Sequence, residues 1–290
     1  MKVVVTGSLG NISKPLAAAL AQKHSVTVIT SKQDKQKDIE ALGATAAVGS
    51  MEDVNFLVST FAGADAVYAM VPPNFAVPNF LEFYQTVAKN YKQAIEQSHV
   101  GRVVLLSSLG ADLDKDTGVI VGAHHMERIL SEMSSDVNLT ILRPTLFYTN
   151  FLPLADLVKK AGIMGNNYAG DDLIAMVSPR DIAEVAAEEI QTPSGMKIRY
   201  VTSDEYTPNQ VASAVGAAIG KPDLKWVFFT DDQTQKSMED NGLPAHIATL
   251  LVGIGNAVHK GILMEDYNKH KPVFGKVKLE EFAKEFAAAF

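Results

Sequence analysis

The first thirteen residues restrict the fold of this chain more than any other segment. Residues 2–6, Lys-Val-Val-Val-Thr, form the β-branched run that is typical of a buried parallel strand. A glycine loop follows at 7–13, and an Ala/Leu-rich segment at 14–22 predicts a helix. A glycine loop between a first strand and a first helix is the context of a dinucleotide-binding turn. The segment therefore predicts the start of an open α/β sheet.

Strand and helix patterns alternate through the first half of the chain. Short apolar runs predict strands at 26–30, 45–48, 64–70, 102–107 and 138–142. Helices are predicted between them, at 32–42, 52–61, 77–98 and 123–134. Such alternation with short connections indicates right-handed β-α-β crossovers. The predicted fold class is α/β, a Rossmann-type doubly wound parallel sheet with helices on both faces.

The pattern becomes less regular beyond residue 145. Further strands are predicted at 173–177, 197–201 and 225–229, and helices at 179–190, 208–219, 231–241 and 279–289. We expect a smaller α/β substrate or cap domain at 151–290, packed over the carboxyl edge of a nucleotide-binding domain at 1–150. Because no Pro/Gly/Ser-rich linker separates the two parts, we expect them to share a core that the chain can cross back into.

Composition restricts the partners. The 290 residues include no cysteine, which excludes disulfides, Cys-ligated metals and thiol catalysis and is consistent with a cytoplasmic location. The initial apolar run is too short for a signal peptide, and we expect no membrane-spanning segment. A net charge of −7 argues against nucleic acid as a partner. The predicted partner is a small-molecule substrate.

The glycine loop has the features of a pyrophosphate-binding turn. Gly7 permits a tight turn, and Gly10 lets a pyrophosphate approach the backbone at the start of the following helix. Ser13 stands where a third glycine is usual. The alternative is a glycine turn without a ligand. The predicted cofactor-binding residues here are Gly7, Ser8, Leu9, Gly10, Asn11 and Ile12.

The end of the second predicted strand bears on the choice of cofactor. A site that prefers NAD usually carries an acidic residue there for the ribose hydroxyls. This chain has Thr30-Ser31-Lys32 instead, and a hydroxyl with an ammonium suits the 2′-phosphate of NADP. We expect NADP(H), with Ser31 and Lys32 as contacts and NAD(H) as the alternative cofactor. Lys32 could equally be a solvated residue at a helix start.

Further cofactor contacts are expected where other strands end, because ligands of open α/β sheets bind outside the carboxyl ends of the strands. Ser50 and Met51 could flank an adenine. The residues that follow the fourth strand could line the ribose and pyrophosphate, namely Met70, Val71 and Pro72. Ser107 and Thr145 follow the fifth and sixth strands, where a nicotinamide would lie.

Four motifs together resemble the NmrA-like family, a branch of atypical short-chain dehydrogenases. They are Val-Thr-Gly-Ser-Leu-Gly at 5–10, Val-Val-Leu-Leu-Ser-Ser at 103–108, Thr-Ile-Leu-Arg-Pro at 140–144 and Ser-Pro-Arg-Asp-Ile-Ala at 178–183. The resemblance covers essentially the whole chain and is nearest to type-2 NAD(P)H:quinone oxidoreductases. It implies an NADP-binding Rossmann domain with a small C-terminal substrate domain. The family also includes NADPH-sensing regulators and borders on nucleotide-sugar epimerases.

The resemblance does not settle catalysis. Short-chain dehydrogenases generally use a Tyr-x-x-x-Lys pair on the helix before the sixth strand, and residues 119–128 hold neither type. His124 is the candidate proton donor, and His125 is adjacent. One of the two could instead be a surface residue and the other a packing residue. Because neighbouring helix residues point about 100° apart, they do not form a metal pair.

Quinone reduction needs mainly ring stacking and the exclusion of water. Aromatic residues that could line such a pocket, or belong to the core, are Phe75, Phe80, Phe147, Tyr148 and Phe151. The apolar segment 247–263 could cap the substrate or form a homodimer face. The sequence thus predicts an NAD(P)H-dependent oxidoreductase for a quinone or similar small electrophile. The alternatives are a non-catalytic NADP(H) sensor and, less favoured, a nucleotide-sugar epimerase.

Overall fold

Seven parallel strands form the largest sheet of the protein, for which a computed structural model describes residues 1–192 and 197–290. The strands are β1 (Lys2–Val5), β2 (Ser25–Thr30), β3 (Thr45–Val48), β4 (Ala66–Ala69), β5 (Arg102–Leu106), β6 (Asn138–Pro144) and β10 (Lys197–Val201). The helices that flank them are α1 (Ser13–Ala21), α2 (Gln36–Glu40), α3 (Val54–Phe61), α4 (Phe80–Gln97), α5 (Ile120–Ser131) and α7 (Pro179–Gln191). The predicted doubly wound α/β class is confirmed.

Both faces of this sheet are covered by helices. Successive side chains of a strand point to opposite faces, so Val3 and Val5 lie in one core cluster while Val4 lies in the other. The first cluster includes residues of α1 and α7, and the second includes residues of α3, α4 and α5. Coverage on both sides explains why Val3, Val4 and Val5 of β1 are all apolar and buried rather than alternating with polar residues.

The strand order places a crevice at the centre of the sheet. The order is β10-β6-β5-β4-β1-β2-β3. The chain first adds β2 and β3 on one side of β1 and then crosses to the other side, where it adds β4, β5 and β6. Ligands of open α/β sheets bind at such a switch point, outside the carboxyl ends of the strands. The glycine loop after β1 lies at this position.

The second half of the chain adds two small sheets and further helices. Its elements are β7 (Leu146–Phe147), a 3₁₀ segment (Tyr148–Leu154), α6 (Ala155–Ala161), β8 (Ile163–Asn166), β9 (Ile174–Val177), β11 (Asp204–Tyr206), α8 (Pro208–Ala218), β12 (Lys225–Phe228), α9 (Asp231–Asp240), α10 (Ala245–His259), α11 (Met264–Lys269) and α12 (Leu279–Ala289). One small sheet has the order β11-β9-β7, and β12 pairs with β8. Although α7 and β10 lie beyond residue 150, β10 is a strand of the large sheet and α7 packs on one of its faces. The division of the chain into two domains at residue 150 stays a prediction.

Three of the aromatic residues that could have lined a pocket, Phe80, Tyr148 and Phe151, are buried. Tyr148 and Phe151 each keep 2% or less of their exposure, and their rings contact Phe282 of α12. Trp226 of β12 stacks on Tyr168 and donates through its indole N–H to the Tyr168 carbonyl. Except for Phe80, these residues belong to a core cluster formed within the second half of the chain, and Phe75 and Phe147 are the half-buried members of the predicted aromatic set.

Helix α10 packs unusually close to two other segments. A Cβ on Gly118, whose φ is +60°, would lie 1.9 Å from the Leu250 carbonyl oxygen, and Gly253 faces Gly118. A Cβ on Gly255 would overlap the side chain of Asn167. By length and composition the helical segment Ala245–Lys269 could span a membrane, with one third of its most apolar window buried. Its glycine contacts are those of a helix packed within a folded chain.

Candidate functional site

The loop after β1 has the geometry of a ligand cradle. Gly7 has φ +87°, and a Cβ there would lie 2.6 Å from both the Met70 sulfur and the Ser13 hydroxyl. A Cβ on Gly10 would lie 3.1 Å from the Gly7 carbonyl oxygen. Ser13 donates to the Thr6 carbonyl over 2.8 Å, so the serine in the third glycine position ties α1 to β1.

The first turn of α1 provides N–H donors at this loop. Ile12 is the N-cap residue, and its side chain cannot accept a hydrogen bond. Of the amides that a serine or aspartate at this position would cap, Lys14 already donates to the Gly10 carbonyl over 3.0 Å, and Pro15 has no N–H. The amides that remain for a ligand are those of the residues just before them, Asn11 to Ser13, at the positive end of the helix dipole. These observations fit a pyrophosphate at Gly7–Ile12, as the sequence predicts.

The crevice between β1 and β4 is closed at its base by hydrogen bonds. The Thr6 hydroxyl accepts from the Met70 amide over 2.8 Å and donates to the Met70 carbonyl over 3.2 Å. Tyr91 of α4 donates to the same carbonyl over 2.9 Å. Burial raises the pKa of the Tyr91 hydroxyl, so it remains a donor. Met70 is thus fixed beneath Gly7.

Side chains of α4 hold the loops that follow β3 and β4. Asn90 donates to the carbonyls of Met51 and Glu52 over 3.3 and 2.9 Å. Tyr84, seven residues before Tyr91 and on the same helix face, donates to the Val71 carbonyl over 3.3 Å. Burial raises the pKa of Tyr84 to about 12. The predicted adenine and ribose contacts are therefore held by one helix.

The end of β2 separates buried from exposed groups. Ser8 donates to the Thr30 hydroxyl oxygen over 2.9 Å, and Thr30 is buried. The Lys32 amide donates to the same oxygen over 3.2 Å. Ser31 and Lys32 themselves are exposed beside the glycine loop. This arrangement allows Ser31 and Lys32 to contact a phosphate, while Thr30 serves to fix the loop.

A buried ion pair lies next to the ends of β5 and β6. Glu127 of α5 accepts two hydrogen bonds from Arg143, of 2.9 Å from Nε and 2.7 Å from Nη2. Arg143 also donates from Nη1 to Asp266 of α11 over 3.2 Å and to Tyr200 over 3.1 Å. Burial alone would lower the pKa of Arg143, but its bonds to Glu127 and Tyr200 raise it above its usual range.

Ser107 is bonded to this ion pair. Its hydroxyl donates to Oε1 of Glu127 over 2.5 Å, and its amide donates to the Leu142 carbonyl over 2.8 Å. Thr145, the other predicted nicotinamide contact, is buried, and its hydroxyl donates to the Val201 carbonyl over 3.4 Å. Of the two, Ser107 is the half-buried residue that a ligand can reach.

His124 lies one turn before Glu127 on the same face of α5, and it is half-buried. Its Nδ1 is 2.9 Å from the Ala111 carbonyl oxygen. The His125 ring lies edge-on to it, with the centroids 5.6 Å apart. Burial, His124 and Arg128 lower the pKa of His125. Because carbonyl oxygens only accept, Nδ1 of His124 carries the proton in the neutral ring.

Sequence reasoning missed Glu127, Asp266, Asn90, Tyr84 and Tyr91. Only Glu127 gives a local signal: it is a charge on the face of α5 that also buries Gly122, Met126 and Leu130. Asp266 is separated from Arg143 by 123 residues, and no local pattern joins them. Among the residues described, no group of three His, Asp or Glu side chains could hold a metal ion.

Comparison with known proteins places these features in a family. Residues 7–193 match the family model described as NAD(P)H-binding. The chain is 25% identical to the NAD(P)H azoreductase of Xenophilus azovorans over 99% of both sequences. It superposes on an NADPH-dependent quinone oxidoreductase of Escherichia coli, complexed with NADPH, with a TM-score of 0.83, 20% identity and coverage of 98% and 99%. It also superposes on the triphenylmethane reductase of Citrobacter sp., complexed with NADP(H), with a TM-score of 0.81, 18% sequence identity and coverage of 98% and 99%.

Proposed function

Because the chain belongs to the NAD(P)H-binding family, we propose that it is a reductase that transfers hydride from NADPH to a quinone, an azo dye or a similar small electrophile. The observation that carries the proposal is the glycine loop followed by the N-terminus of α1 at the switch point of the sheet. The relatives named as azoreductase, quinone oxidoreductase and triphenylmethane reductase support a conjugated acceptor.

Residues of the chain bind and orient the cofactor in this proposal. The loop Gly7–Ile12 and the N-terminus of α1 bind the pyrophosphate, and Ser50, Met51, Met70, Val71 and Pro72 line the adenosine part. Ser31 and Lys32 contact the 2′-phosphate, which favours NADP(H) over NAD(H). Ser107 and Thr145 lie at the nicotinamide end. The bound nicotinamide supplies the hydride.

The other residues determine what happens to protons and water. His124 has its Nδ1 proton directed to Ala111, so its Nε2 can donate only when the ring is an imidazolium. A quinone accepts hydride without a strong acid, so His124 assists rather than enables the transfer. Phe75, Phe80 and Tyr84 form a contacting aromatic series, with centroids 6.1 and 4.7 Å apart. Phe80 is buried, and the half-buried Phe75 and Tyr84 on either side of it can stack against an aromatic substrate.

Turnover tests the proposal. Purified protein with NADPH should reduce members of a panel of benzoquinones, naphthoquinones and azo dyes, as measured by the loss of reduced nicotinamide absorbance. Failure across the panel, with NADPH binding intact by calorimetry, would contradict it and favour the sensor alternative. Epimerase chemistry is disfavoured because α5 holds neither Tyr nor Lys.

A further inference from the structure

The hydroxyl of Ser107 donates its single proton to the carboxylate of Glu127. Glu127 is bonded twice to Arg143 and is ionised, so it can only accept, and Ser107 must be the donor in their 2.5 Å contact. What Ser107 can offer a ligand is a lone pair. The adjacent Ser108 differs, because its hydroxyl donates to the Leu109 carbonyl in a local turn.

The ring of His124 is restricted in the same way. Its Nδ1 proton is directed to the Ala111 carbonyl, so in the neutral ring Nε2 is a bare acceptor. Glu127, which holds Ser107, is three residues further along α5, and residues at this spacing are neighbours on a helix. The hydroxyl oxygen of Ser107 and Nε2 of His124 are named here the acceptor pair.

We propose that the acceptor pair selects substrates that carry an N–H or O–H donor beside the reducible group. The inference rests on the proposed reductase function and names its substrate class, namely amino- or hydroxy-substituted quinones and azo compounds. A substrate without a donor leaves these polar groups desolvated and unpaired, which costs more than an unmade hydrogen bond in water. A site built to accept hydrogen bonds therefore discriminates against an analogue that lacks the donor.

A matched pair of substrates tests the proposal. One is a naphthoquinone with an amino group on its benzenoid ring, and the other is its dimethylamino analogue, which donates electrons similarly but has no N–H. At about pH 8 the wild type should show a higher kcat/KM for the amine. The ratio of kcat/KM for the amine to kcat/KM for the dimethylamine should fall about three- to tenfold in Ser107→Ala and in His124→Phe, as expected for one lost hydrogen bond.

Neighbouring residues supply the controls. Ser108→Ala and His125→Phe make the same chemical changes one position along the chain, and both should keep the wild-type ratio. An unchanged ratio in Ser107→Ala and His124→Phe would overturn the inference. So would a result in which Ser107→Ala raises KM for NADPH and leaves the amine-to-dimethylamine ratio unchanged, because Ser107 would then contact only the nicotinamide and not the substrate.

Equilibrium binding separates this inference from the proposed function. Titration of both naphthoquinones into the NADP⁺ complex should give tighter binding of the amine, with the difference reduced in Ser107→Ala and His124→Phe. If neither compound is reduced but this binding difference is found, the reductase proposal fails and the inference stands. If both compounds are reduced equally well and bound equally tightly, the inference fails and the reductase proposal stands.

Discussion

Glu127 and Arg143 are joined by two parallel hydrogen bonds, of 2.9 and 2.7 Å, between the helix before β6 and the end of β6 itself. Both side chains are at least nine-tenths buried. The same guanidinium reaches Asp266 on α11, so one cation connects the sheet, α5 and α11. Because Ser107 donates to Glu127, the Glu127–Arg143 pair orients the Ser107 hydroxyl in the candidate site.

Breaking this pair should destabilise the protein. Glu127→Gln leaves Arg143 with a neutral partner, and loss of a buried ion-pair partner costs about 3 kcal/mol. The free energy of unfolding should fall by about this amount in urea titrations. Glu132→Gln is the control, because Glu132 forms an exposed pair with Lys92 near the end of the same helix. A variant as stable as this control would show that the pair contributes little.

Gly10→Val should abolish dinucleotide binding. The new Cβ would lie 3.1 Å from the Gly7 carbonyl oxygen, and the branched methyl groups would occupy the approach to the backbone. Calorimetry should show NADPH affinity reduced by about 100-fold or more, or about 3 kcal/mol. Gly101→Val is the matched control, because a Cβ there meets nothing within 4 Å. Retained binding in Gly10→Val would contradict the site assignment.

Lys32→Ala should weaken the preference for NADPH over NADH. Removal of a charge-assisted contact to the 2′-phosphate should raise KM for NADPH about tenfold and leave KM for NADH unchanged. Lys23→Ala removes a lysine just beyond the other end of α1 and should change neither value. Equal effects on both cofactors would place the 2′-phosphate elsewhere.

Gly118→Ala should displace α10. The new methyl would lie 1.9 Å from the Leu250 carbonyl oxygen, and φ at this position is +60°. Together the strain and the overlap should cost about 3 kcal/mol of unfolding free energy. Gly261→Ala imposes a similar φ, +70°, where a Cβ has open space, and should cost only about 1 kcal/mol. Similar losses in both variants would show that the backbone contact is not tight.

The loss of folding stability at acid pH should depend on Glu189. Burial alone would raise the pKa of this carboxyl, but hydrogen bonds and charge from Lys197 and Arg199 bring it below its ordinary value. A folded-state pKa below the unfolded one contributes stability above about pH 4.3, which is lost as pH falls further. Melting curves from about pH 7 to about pH 3 should show this loss in the wild type.

Glu189→Gln should be less stable at neutral pH, because it also leaves Arg102, 3.1 Å from Oε2, with a neutral partner. Its stability should fall less steeply between about pH 4.3 and pH 3. Glu188→Gln, which changes an exposed carboxylate on the same helix, should follow the wild-type profile. Parallel profiles for the wild type and Glu189→Gln would assign the acid loss to other groups.

Most of the sheet could be predicted from the sequence, because each strand and helix has its own local pattern. The β-branched run, the glycine loop and the Ala/Leu-rich helix are contiguous, so β1, its turn and α1 follow from neighbouring residues. The predicted bounds of β10 and α12 agree with the observed ones, Lys197–Val201 and Leu279–Ala289. The short elements α6, α11, β7, β8 and β11 were missed, because a few residues show no clear period. The cytoplasmic location and a homodimer stay predictions.

The sequence by itself thus determined the α/β class and the position of the dinucleotide loop, since both depend on residues close together in the chain. Only the tertiary structure decided what surrounds the ends of β5 and β6, where the nicotinamide is predicted to lie. Arg143 meets Asp266 across 123 residues, and the direction of the Ser107 proton depends on Glu127, 20 residues away. The tautomer of neutral His124 depends on the Ala111 carbonyl, 13 residues before it. The direction of a hydrogen bond depends on which groups are in contact in the folded chain. These contacts join residues that are far apart in sequence, so local periodicity cannot predict them.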